Sequence, residues 1–143
     1  MRKTLTAALL TSAVLSTPAA AQGDTQRYLS GLAGRADFFW AKGVNYSGDV
    51  LPIRAPITSI QWEGDCDMVI RFGKATEGWA PYQSPVFIKW GSIVTVDIAK
   101  NFFIFRHNYA GFMPGYRWGF WVPDNEQPRM KQAMQSMIDS CDG

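Results

Sequence analysis

The chain has 143 residues, of which 47% are hydrophobic and 14% aromatic, with 14 basic against 12 acidic side chains. That composition belongs to a packed globular domain and excludes disordered, low-complexity and repeat architectures. The small positive balance resides in the first residues, and without Arg2 and Lys3 the count is 12 against 12, with no run of Lys or Arg. A balance of this kind lacks the electrostatic footprint that draws a protein onto nucleic acid or an anionic membrane surface, so neither partner is expected.

Arg2 and Lys3 precede the apolar run Leu5 to Leu15, followed by Pro18 and Ala19-Ala20-Ala21. This pattern predicts a secretory signal peptide over residues 1–21, cleaved after Ala21, and a single exported domain over 22–143, periplasmic or secreted. The apolar run is too short to serve as a membrane anchor, and no later run approaches the roughly twenty residues a spanning helix needs. No cysteine lies near the cleavage point, so a lipid anchor is not expected there.

The stretch "DTQRYLSGLAGRADFFW" places Tyr28, Leu32, Ala36 and Phe39 at helical spacing, interrupted by Gly31 and Gly34, and predicts a short helix. "VLPIRAP" then reads as a loop, because Pro interrupts sheet ladders. "ITSIQW" is a strand candidate, and "EGDCD" is a turn whose Glu63, Asp65 and Asp67 are solvated carboxylates rather than a calcium motif. "DMVIRFG" alternates Met68, Ile70 and Phe72 against Asp67 and Arg71, which is the period of a half-buried strand.

"GKATEGWAPYQSP" is a second Pro- and Gly-punctuated loop, followed by the strand candidate "VFIKW". "SIVTVDIAK" sets Val94, Val96 and Ile98 against Thr95 and Asp97, and "FFIFRH" follows after a tight turn, so residues 92–107 read as a hairpin. "YAGFMPG" is a third loop. In "YRWGFWV", alternation puts Tyr116, Trp118, Phe120 and Val122 on the core face and Arg117, Gly119 and Trp121 on the opposite one.

"NEQPRMKQAMQSMIDSC" closes the chain as an amphipathic helix with Met130, Met134, Met137, Ile138 and Cys141 on its apolar stripe. Asp124 or Asn125 can cap it, Glu126 suits the positive end of its dipole, and Pro128 is tolerated only within the first turn. Cys66 and Cys141 are the only cysteines. In an oxidising compartment they predict one disulfide that staples this helix to the sheet.

Together these elements predict an α+β fold, a curved antiparallel sheet or half-open barrel of about five to seven strands capped by the C-terminal helix. The element order resembles that of pleckstrin-like folds, in order alone and with no shared motif, and implies no activity.

The chemistry on offer is sparse. His107 is the only histidine, and the chain has neither a G-x-S-x-G elbow nor a glycine-rich phosphate loop. One histidine and two paired cysteines make no zinc site, so no metal, cofactor or catalytic residue is assigned. Glu63, Glu77, Glu126 and the aspartates offer carboxylates for a glycan hydrolase, but no spacing singles out a pair. A purely structural envelope role is a third possibility. The expected function is non-catalytic binding of a protein, peptide or small apolar ligand. The candidate residues are Arg117 and Trp121 on β-strand alternation, Trp79 and Tyr82 in the loop, and His107.

Overall fold

The computed structural model describes residues 18–42, 53–75, 84–107 and 116–141. Helix α1 (Pro18–Ser30) leads into seven strands: β1 (Asp37–Lys42), β2 (Ile53–Glu63), β3 (Asp67–Phe72), β4 (Val86–Lys89), β5 (Ile93–Ala99), β6 (Phe102–His107) and β7 (Tyr116–Trp121). Short 3-10 turns at Trp90–Ser92 and Asp124–Glu126 precede β5 and helix α2 (Gln127–Cys141), respectively. The loops around Trp79 and Tyr82 and from Tyr109 to Gly115 lie outside the described residues.

Every pairing is antiparallel, and the strands lie in the order β4-β3-β2-β1-β7-β6-β5. The sheet is open, with β4 and β5 as its edges, and the fold is α+β with a C-terminal helix as the alternation and periodicity require. Helix α2 packs against the Trp90–Ser92 turn and β5, and α1 packs against α2 and β2.

Two elements depart from the sequence expectation. The helix around Tyr28 begins at Pro18 and ends at Ser30, so "DFFW" forms β1 and Phe39 belongs to a strand. Gly31 and Gly34, the latter at φ 84°, stop the helix, and the adjacent aromatic pairs favour the pleated sheet. "VLPIRAP" is not wholly a loop, since β2 starts at Ile53 and carries Pro56. There β2 passes from β1, its partner up to Pro56, to β3, its partner from Ile57 onward, with a register shift between Ile57 and Ser59. A missing amide donor costs least at such a handover.

The inner face is the core. Phe38 and Trp40 from β1, Trp118 and Phe120 from β7, Val122 just after it, and Phe103 and Phe105 from β6 are all buried. The Phe105 ring meets Trp118 edge-on at 4.9 Å and tilts against Phe120 at 5.4 Å and Trp90 at 5.3 Å. The side chain of Tyr116 lies outside the described part. Met130, Met134, Met137 and Cys141 of α2 and Leu29 and Leu32 near the end of α1 close the core from above. Each large buried side chain contributes on the order of 2 kcal/mol by area alone.

Cys66 and Cys141 are joined in a disulfide, their Cα atoms 5.7 Å apart. This staples the end of α2 to the β2–β3 turn. Helix α1 is tied to the same turn, because Gln22 Nε2 donates to the Asp65 carbonyl at 2.8 Å and Gln26 Nε2 does so at 2.9 Å. Trp62 Nε1 donates to Ser30 Oγ at 2.9 Å, fixing the other end of α1 on β2.

Candidate functional site

Strand β5 forms one edge of the sheet, and two of its three exposed side chains, Val94 and Ile98, are apolar, the third being Thr95. Val94 is 55% exposed and Ile98 45%. Alternation sets Val94, Val96 and Ile98 on one face, against Thr95 and Asp97, but the three are not buried alike. A register shift between Ile93 and Thr95 turns Ile93 into the core and leaves Val94 outside, while α2 covers the strand only in part. Between β5 and α2 runs a groove of about 200 Å³ lined by Val94, Thr95, Val96, Ile98, Lys131, Met134, Gln135 and Ile138. Its walls are mixed, with Val94, Val96, Ile98, Met134 and Ile138 beside Thr95, Gln135 and Lys131, and Lys131 forms no ion pair among the described residues.

The two sheet edges differ in kind. Strand β4 spans only Val86 to Lys89, follows Pro85 and ends in a lysine, all devices that discourage a further strand from pairing. Strand β5 runs seven residues, Ile93–Ala99, with neither proline nor lysine among them. A strand at a sheet edge turns the amides and carbonyls of alternate residues away from its one partner, and these are a template for another extended chain. Sequence reasoning missed this surface, since the apolar alternation of β5 was visible but its place in the strand order was not.

The residues singled out from sequence fall in several places. Arg117 and Trp121 both lie on the outer face of β7, on either side of Gly119. Trp121 is half-buried beneath the guanidinium of Arg54, whose central carbon lies 3.7 Å from the ring centroid. Arg54 in turn donates to Asp37 at 2.7 Å, so a cation and its counter-ion roof the indole. His107 and Arg117 line one pocket of about 220 Å³ with Ile104, Phe105 and Arg106, where β6 and β7 diverge beyond their last paired residues, Ile104 and Gly119. Trp121 is not among the residues lining that pocket. Trp79 and Tyr82 lie outside the described residues.

The carboxylates are dispersed. Glu63 and Asp65 are exposed at the β2–β3 turn, and Glu77 lies outside the described residues. Glu126 lies just before the start of α2, as its sequence context suggested, but it is buried rather than solvated. It is 7% exposed, accepts a 2.8 Å hydrogen bond from the Tyr28 hydroxyl and is bound by Arg35. Burial, the hydrogen bond to Glu126 and the negative charge of that carboxylate together hold the Tyr28 phenol well above its usual range. Asp124 receives a hydrogen bond from Asn101 Nδ2 at 2.7 Å. Among the described residues no group of three or more His, Cys, Asp or Glu side chains converges as a metal site.

Comparison of the chain with protein-family models, with curated proteins and with solved structures finds no match.

Proposed function

We propose that this protein is an exported, non-catalytic module that binds an extended peptide segment by adding it as an eighth strand to β5, beneath the flank of α2. The observation that carries this is the seven-residue edge strand β5, free of proline and lysine, with Val94 and Ile98 exposed beside the groove under α2. Main-chain hydrogen bonds to an edge strand supply affinity that is independent of sequence, and pockets for alternate side chains supply selectivity. The preferred segment has branched apolar residues at alternate positions, which fit against Val96, Ile98 and Ile138, and an acidic residue that faces Lys131.

Export through a signal peptide over residues 1–21 is part of the same proposal. It is supported by the Cys66–Cys141 disulfide, which suits an oxidising compartment. Among the described residues no helix is long and apolar enough to cross a membrane. Cleavage after Ala21 leaves Gln22 as the first residue, already seated on the β2–β3 turn.

The test uses a synthetic library of extended peptides with alternating Val or Ile, with and without a carboxylate, read by backbone amide shifts. Binders are expected to shift the amides of residues 93–99 and to lose about tenfold or more in affinity against a Val94→Asp, Ile98→Asp double variant. Both side chains are exposed, so that variant retains its fold. Binders that leave the β5 amides unmoved, or that tolerate the double variant, would overturn the proposal.

A further inference from the structure

Helix α2 separates two grooves. One flank faces β5, and the other, carrying Arg129, Gln132, Ala133 and Ser136, faces α1. On the α1 side lies a cleft of about 440 Å³ lined by Asp24, Arg27, Tyr28, Gly31, Arg35 and Arg129. Its volume is in the range of small-ligand sites, and it draws three arginines to one place on a chain that has no run of Lys or Arg.

We propose that this cleft binds an oxyanion, a carboxylate or phosphate group, between Arg35 and Arg129. The two guanidiniums are held in place before any ligand arrives. Arg35 donates from Nε and Nη2 to the Gly31 carbonyl at 3.1 and 3.0 Å, and from Nη1 to Glu126. Arg129 stacks on the Tyr28 ring, its central carbon 4.5 Å from the centroid. Tyr28 is itself fixed by its hydrogen bond to Glu126, so one buried carboxylate positions both cations.

The charge count favours an anion. Three arginines stand against Asp24 and Glu126, leaving one positive charge. Glu126 is consumed by Arg35 and Tyr28, and the Asp24–Arg27 pair at 2.8 Å is largely exposed and screened by water. Arg129 forms no ion pair among the described residues. A planar guanidinium already stacked and oriented loses little freedom on forming the paired N–H···O bonds that carboxylate and phosphate accept.

The chain with its disulfide intact is titrated with inorganic phosphate and, separately, with acetate at constant ionic strength, and arginine Nε–H resonances are followed by NMR. Saturable shifts are expected at Arg35 and Arg129. Arg129→Gln should weaken the effect about tenfold or more, Arg27→Gln should weaken it less, and Arg117→Gln on the outer sheet face should leave it unchanged. Saturation by phosphate alone assigns a phosphoryl ligand, and saturation by acetate alone assigns a carboxylate. Shifts that fail to saturate with either anion, or an equal loss in the Arg129→Gln and Arg117→Gln variants, would overturn the site. Peptide binding at β5 is unaffected by either result, so the two proposals fail separately.

Discussion

Tyr28, near the end of the first helix, donates a 2.8 Å hydrogen bond to Glu126, the last residue before the second. The pair joins segments 98 residues apart and buries a carboxylate that Arg35 neutralises from the other side. Tyr28→Phe leaves Glu126 with one partner fewer and should cost about 1.5 kcal/mol, as measured by urea denaturation. The phenol's proton affinity is raised above the unfolded value of 10.0, so the folded state holds the proton more tightly. That stabilisation is complete below pH 10 and is lost as pH climbs through the higher folded value. Wild-type protein should therefore lose stability above about pH 10 more steeply than Tyr28→Phe, with the Tyr28 absorbance change accompanying unfolding.

Gly119 sits where β7 approaches β6 so closely that a Cβ would overlap the Phe103 carbonyl. The obstacle is backbone, which cannot swing aside as a side-chain tip can. Gly119→Ala should cost about 3 kcal/mol or prevent folding, whereas Gly23→Ala, where nothing lies within 4 Å, should be neutral or slightly stabilising. Thermal melts of the two variants check the contrast, and equal melting points would refute it.

Trp121 is half-buried and roofed by Arg54. Trp121→Ala should cost about 2 kcal/mol, between an exposed position and a core one. Because Trp121 does not line the β5–α2 groove, the same variant should bind β5-directed peptides with unchanged affinity. Denaturation and peptide titration on one preparation measure both.

The disulfide closes a loop with its ends 75 positions apart. In the loop-entropy model its loss costs about 4 kcal/mol, a large share of a small domain's stability. A Cys66→Ser, Cys141→Ser variant should melt far below the oxidised protein and close to the wild type under reductant. Near-coincident oxidised and reduced melts would show that the staple contributes little.

Local patterning carries much of this fold. The alternation in "YRWGFWV" identified Trp118, Phe120 and Val122 as core, and the helical spacing of Met130, Met134, Met137 and Cys141 identified the buried stripe of α2. The disulfide followed from two cysteines in a chain with the features of an exported one. These features are legible because the backbone itself imposes periods of two and 3.6 on which side chains share a face. The β5 edge, the place of Pro56 and the arginine cleft are of another kind. Val94 and Ile98 are exposed because β5 falls at the end of a strand order set by β1 pairing with β7, a contact between the two ends of the sheet in sequence. Pro56 lies within a strand because β2 changes partners there. Glu126 is buried, and Arg35 and Arg129 are gathered beside it, because α1 lies across the start of α2. Edge position, partner exchange and the burial of one charge among many depend on contacts between distant segments, and short-range periodicity holds no record of them.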